Sequence, residues 1–137
     1  MRGPAEPAPG ATARAELRVE AGDLADALNA EARDTFPPVF ATSRMIALME
    51  IASSRVLLPF LDPGELSVGV TVDVSHTAAT PPGAIVTATA RYVGREGKLF
   101  VFEVSASDPG GEIGRGMHKR AIVSSERLVS GAQRRMG

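Results

Sequence analysis

The sequence predicts an α+β fold in which a curved antiparallel sheet wraps around one central helix. Three observations lead there: one long apolar helix-forming stretch at residues 42–58, four strand-like segments after it joined by tight turns, and one shorter strand before it. A helix that is apolar on nearly every side needs cover on most sides, and a curved sheet supplies that cover.

The helix is the organising element. Thr42 or Ser43 is expected to cap its start, because a short hydroxyl accepts a hydrogen bond from a first-turn amide. Pro59 discourages continuation, having no N–H and a ring that clashes with the preceding turn. On a wheel of about 100° per residue, Met45, Met49, Ala52 and Val56 form one stripe, widened by Ile46 and Leu57. Leu48 and Ile51 reach the other side, near Arg44 and Arg55. Glu50 falls beside Ile46 and Leu57, where neither arginine can reach it along the helix. A carboxylate there needs protonation, a hydrogen bond or a partner from another element, unless it lies at a solvated rim.

The other elements follow in order. Residues 1–14, rich in Pro, Ala and Gly, read as a disordered amino-terminal segment ahead of a single domain at 15–126. Ala15 to Glu20 alternates as a short strand with Leu17 and Val19 on one face. Residues 22–33 carry Leu24 and Leu28 at helical spacing and read as a short, weakly anchored helix or lid. Phe36-Pro37-Pro38-Val39-Phe40 fixes an extended path into the central helix.

After a turn at 61–65 comes the clearest strand, with Val68, Val70, Val72 and Val74 on one face and His76 sharing their parity if the register holds. Ala84 to Val93 and Lys98 to Ser107 form two more strands around a hairpin loop at Gly94-Arg95-Glu96-Gly97. The last strand, Ile113 to Ser124, holds Gly114 and Gly116 as points of close approach. Residues 127–137 read as a frayed basic tail.

Bulk properties narrow the function. Fifteen Lys and Arg against 16 Asp and Glu leave a net charge of -1, so nothing draws the 137-residue chain to nucleic acid or an acidic membrane. There is no cysteine, hence no disulfide, thiolate nucleophile or cysteine metal site. No apolar run approaches the roughly 20 residues that span a bilayer, and a cytoplasmic protein is expected. No metal or cofactor motif stands out: the glycines at 110–116 do not lead a strand into a helix, and Gly94 to Leu99 lacks parts of a phosphate loop.

Two residues carry the chemistry in this reading. Glu50, from the helix, and His76, from the valine face of the strand packed on it, can form an ion pair or shared hydrogen bond and act as nucleophile, general base or orienter. The alternative is a core histidine satisfied by backbone and a surface glutamate. Thr42 is either a plain cap or a hydroxyl at a helix amino terminus, where free amides favour a developing oxyanion. His118-Lys119-Arg120 reads as a solvated basic edge or a phosphate contact.

The run from Phe36 to Glu50, then Val74-Ser75-His76-Thr77-Ala78-Ala79-Thr80-Pro81-Pro82-Gly83, and finally Glu112 to Ala121 resemble the hot dog fold thioesterases related to fluoroacetyl-CoA thioesterase. Residues 1–34 match less clearly. The resemblance implies hydrolysis of a short-chain acyl-CoA, with fluoroacetyl-CoA one candidate, by a homodimer whose sheets join edge to edge and bind substrate near the subunit boundary. It implies catalytic roles for Thr42, Glu50 and His76, acyl-group contacts from the Gly69 backbone and the Arg120 side chain, and an aromatic gate at Phe36. A non-catalytic acyl-CoA binding or regulatory protein, or a hydratase, are the other functions such a fold can carry.

Overall fold

The computed structural model describes residues 6–137. Five strands form one antiparallel sheet: β1 (Thr12–Arg18), β2 (Glu65–His76), β3 (Ile85–Glu96), β4 (Leu99–Asp108) and β5 (Gly111–Ser124), in spatial order β1-β3-β4-β5-β2. The curled sheet holds a central helix, α1 (Thr42–Leu57), and a second helix, α2 (Ser125–Arg135), follows β5. The expected α+β architecture, a sheet around one helix, is what the chain adopts.

The helix buries Met45, Leu48, Met49, Ala52, Val56 and Leu57. Facing them are Val86, Ala88, Ala90 and Tyr92 of β3 and Phe100, Phe102 and Val104 of β4, the alternating positions that the strand pattern assigns to one face. Each large apolar side chain so buried is worth about 1.5–3 kcal/mol. The alanines of β3 let the helix lie close, and α1 packs mainly on β3 and β1 and more sparsely on β2. That asymmetry leaves Val70 and Val72, on the edge strand β2, 51% and 42% exposed.

Strand β2 does not keep one register. A bulge between Gly69 and Thr71 shifts its pairing with β5, so that Val68 stands opposite Ala121 on the outer face while Gly69 stands opposite Arg120 on the inner one. Past the bulge, Val72, Val74 and His76 pair with His118, Gly116 and Gly114 on the helix side. The valines therefore do not share a single face, yet His76 reaches the side expected of it. The close-approach reading of the β5 glycines holds: a Cβ on Gly116 would collide with the Asp73 carbonyl, and one on Gly114 would lie 2.6 Å from the Ser75 carbonyl oxygen.

Four local expectations are corrected. The amino-terminal stretch is ordered from residue 6: Tyr92 donates its O–H to Glu6 Oε2 at 2.7 Å, Gly10 N–H donates to the Tyr92 carbonyl, and β1 starts at Thr12. Residues 1–5 of that segment lie outside the described residues. The 22–33 segment is no α-helix but two 3-10 turns, Ala21–Asp23 and Ala25–Leu28, since only Leu24 finds a buried place while Leu28 stays exposed. Strand β3 runs through Glu96, which pairs with Leu99, so the hairpin turn is Gly97-Lys98 alone, with Gly97 at φ 62°. The carboxy-terminal tail is helical: Ser124 caps α2 by accepting from the Arg127 N–H, and Arg134 and Arg135 sit in the last turn, where cations suit the helix dipole.

Candidate active site

Thr42 is the first residue of α1, and Ala41 occupies the cap position with no side-chain cap bond. The expected cap is therefore absent, because the Thr42 hydroxyl is engaged elsewhere: its Oγ1 lies 2.8 Å from His76 Nδ1. The other ring nitrogen, His76 Nε2, is buried and has no hydrogen-bond partner among the described residues. Both residues line a cavity of about 330 Å³ with Ala25, Phe36, Val39 and Ala78. The amides of Thr42 and Ser43, at the start of the helix, have no intrahelical partner and point toward its amino-terminal end.

The cavity wall is held by backbone and side-chain bonds. Ala25 N–H donates to the Val39 carbonyl, Phe40 N–H to the Thr80 carbonyl, and Phe36 N–H to Asn29 Oδ1 at 3.0 Å. Arg44 Nη2 reaches Asp23 Oδ1 at 2.8 Å and ties the first helical turn to the preceding segment. Phe36 is left 52% exposed on this wall, at the cavity mouth.

Glu50 lies two turns further along α1 and meets a different set of groups. Arg120 Nη1 donates to Glu50 Oε2 at 3.1 Å, so the partner that the helix could not provide comes from β5. Arg120 is only 5% exposed; its Nε donates to Ser67 Oγ and its Nη2 to the Ser67 carbonyl. His118 is 1% exposed, with Nδ1 2.8 Å from the Thr71 carbonyl oxygen and Nε2 3.1 Å from Arg120 Nη1. Burial pushes the His118 imidazole below its usual range; the hydrogen bond to the Thr71 carbonyl opposes this in part, the Arg120 charge adds to it, and Glu50 opposes it least. Gly69 closes this group: a Cβ there would lie 3.1 Å from both Glu50 Oε2 and His118 Cε1.

Residues 19–126 match the family of fluoroacetyl-CoA-specific thioesterases. The chain belongs to this family. A fluoroacetyl-CoA thioesterase from Streptantibioticus cattleyicolor is 50% identical over 93 residues, 68% of this chain and 67% of its own length. The solved structure of the fluoroacetyl-CoA thioesterase FlK has a TM-score of 0.87 at 39% identity, covering 93% of this chain and 96% of its own. A hot-dog-like protein from Thermanaerovibrio acidaminovorans gives 0.80 at 26% identity over 94% of this chain and 93% of its own. The fold is thus the hot dog fold, and the protein is an acyl-CoA thioesterase, a thioester hydrolase.

Within one chain of this thioesterase, the six residues singled out by sequence form two groups. Thr42, His76 and Phe36 surround the cavity, whereas Glu50, Arg120 and Gly69 meet at the β2 bulge. The anticipated Glu50–His76 pair does not form inside the chain, each having another partner. Eight residues of helix separate Thr42 from Glu50, about 12 Å along the axis.

The basic triplet at 118–120 is no solvated edge either. Strand alternation turns Lys119 outward to Glu96, with Nζ to Oε2 at 2.9 Å, and turns His118 and Arg120 inward. His118 went unrecognised as part of the site, although its parity with Gly114, Gly116 and Arg120 places all four on the helix side.

Proposed function

We propose that the protein hydrolyses the CoA thioester of a short acyl group, with fluoroacetyl-CoA one candidate, as a homodimer whose active sites span the subunit boundary. The observation that carries this reading is the Thr42–His76 hydrogen bond on the wall of the cavity that also includes Phe36. A volume of about 330 Å³ suits a small acyl group with part of its thioester arm and favours short substrates. Phe36 acts as the gate at its mouth.

The division of labour follows from donors and acceptors. We assign the His76 ring proton to Nε2, facing the substrate, with Nδ1 accepting from the Thr42 hydroxyl 2.8 Å away; a hydroxyl can also accept, and it is the oxyanion role that selects this tautomer. That N–H and the first amides of α1 stabilise negative charge on the thioester oxygen as the carbonyl becomes tetrahedral. The Glu50 carboxylate, oriented by Arg120, supplies the attack on carbon, directly or through a water it deprotonates. On the water route, collapse of the adduct breaks the C–S bond and the proton Glu50 took from water passes to the departing thiolate, giving free acid and free CoA. On direct attack the same collapse leaves a Glu50–acyl anhydride, which a water hydrolyses, its hydroxyl going to the acyl carbon and its proton to the thiolate.

The dimer supplies what one chain lacks. Strand β2 is a sheet edge with exposed valines, a surface suited to pairing with a second β2. An antiparallel pairing about a two-fold axis near Val72 sets His76 of one protomer opposite the Val68–Gly69 region of the other. Glu50 packs against Gly69, so this arrangement joins Thr42 and His76 to Glu50 of the partner subunit.

The test is thiol release from acetyl-, fluoroacetyl-, propionyl- and longer acyl-CoA thioesters by wild type and Glu50→Gln in parallel. Turnover of the short members should fall by about 10² or more in the variant, while its melting temperature stays near that of wild type because Gln can still accept from Arg120. Near-normal turnover by Glu50→Gln would refute the assigned role, and a preference for long acyl chains would refute the short-chain assignment.

A further inference from the structure

We infer that His118 is a positioning residue for the hydrolysis, holding Arg120 in the geometry that fixes the Glu50 carboxylate. The inference rests on the proposed role of Glu50 and extends it to a residue that touches neither substrate nor Glu50 through a hydrogen bond.

The hydrogen-bonding inventory settles the form of the ring. The Thr71 carbonyl can only accept, so Nδ1, 2.8 Å away, must carry the proton. Arg120 can only donate, so Nε2, 3.1 Å from Nη1, must offer its lone pair. His118 is therefore the neutral Nδ1–H tautomer. Burial, which pushes the imidazole toward its neutral form, agrees with that assignment.

The two protons of Arg120 Nη1 are then both used, one on His118 Nε2 and one on Glu50 Oε2. Ser67 takes Nε–H through its hydroxyl and an Nη2–H through its carbonyl. Ser67 anchors one side of the guanidinium and His118 the other, so its plane has little freedom to rotate. Because His118 Nδ1–H also grips the carbonyl of Thr71, just past the bulge, the residue links the strand irregularity beside Gly69 to the orientation of Glu50.

Two isosteres divide these functions. Gln at 118 can place a carbonyl oxygen near the Nε2 position and accept from Arg120; Asn can place an amide near Nδ1 and donate to Thr71 but cannot reach Arg120. A positioning role predicts that His118→Gln retains kcat within about threefold and that His118→Asn loses about tenfold or more in kcat with little change in KM. A role confined to propping the bulge predicts the reverse order, and that order, or equal activity in the two variants, would overturn the inference. Glu50→Gln is assayed beside them. If it stays active the Glu50 reading itself fails, whereas an inactive Glu50→Gln with a fully active His118→Asn sinks only the positioning role. A third measurement needs no substitution: long-range proton–nitrogen NMR of the wild-type protein should show His118 unprotonated at Nε2 at neutral pH, and an imidazolium or an Nε2–H tautomer would overturn the inference.

Discussion

The Thr42 hydroxyl and His76 Nδ1, 2.8 Å apart, join the first residue of the central helix to the last residue of the edge strand. The bond selects an orientation for an imidazole whose other nitrogen is otherwise unpartnered among the described residues. Its removal should leave His76 free to rotate and to change tautomer. Thr42→Val, which keeps the shape and deletes the hydroxyl, should lower kcat/KM by about 10–10³, and Thr42→Ser should recover most of it. Steady-state kinetics on the preferred thioester decides: equal activity in the Val and Ser variants would mean the hydroxyl plays no part.

Gly69 tests the other half of the site without removing a polar group. A methyl at this position lies 3.1 Å from Glu50 Oε2 and from His118 Cε1, tighter than ordinary contacts, so one of the two side chains must give way. Backbone strain is not at issue, because the residue lies in extended strand rather than at positive φ. Gly69→Ala should therefore cost about 1 kcal/mol of stability and about tenfold or more in turnover by displacing the carboxylate. Melting curves and kcat measured together check it; a fall in stability with full activity would show that Glu50 tolerates the shift.

The central helix and the alternating strands were legible in the sequence because burial imposes one period on helices and another on strands. Met45, Met49 and Val56, and Val86, Tyr92 and Phe102, all fall where those periods put them. The bulge at Gly69–Thr71 was not, since a run of alternating valines carries no mark of the extra residue that reverses its faces. Glu50 could be recognised as needing a distant partner from its apolar surroundings, but the partner's identity depended on β5 register, which one sequence does not specify. The second helix was missed because it buries no residue and is held by a cap and terminal charges, signals far weaker than an apolar stripe.

His118 makes stability depend on pH in a definite direction. Its imidazole titrates below the ordinary value of 6.5 in the folded protein, mainly because it is buried, and the groups facing it are Glu50 from α1 and Arg120 from its own strand. Below pH 6.5 the unfolded chain binds the proton that the folded chain resists, so folding weakens as pH falls from that value through the folded-state pKa. Above pH 6.5 this residue contributes no pH dependence. Urea unfolding of wild type and His118→Gln at neutral pH and at roughly pH 5 should show a smaller acid loss in the variant. Identical losses would mean that other groups dominate the acid limb.

Subunit mixing gives the most direct test of a composite site. If Thr42 and His76 of one protomer act with Glu50 of the partner subunit, a His76→Ala homodimer and a Glu50→Gln homodimer should each be inactive at both sites. In a heterodimer of the two, one site collects both lesions and the other is intact. Unfolding and refolding an equimolar mixture gives heterodimers as half of all dimers, each with one working site, so activity should rise to about a quarter of wild type. If each protomer instead carried a whole site, every site in the mixture would hold one lesion and activity would stay at the level of the parents. Substituting a charge for Val72 on the exposed β2 edge should disperse the dimer and abolish activity together, because a lone protomer keeps Glu50 about two helical turns from Thr42. Sedimentation and thiol release on the same Val72→Glu sample check this, and an active monomer would refute the shared site.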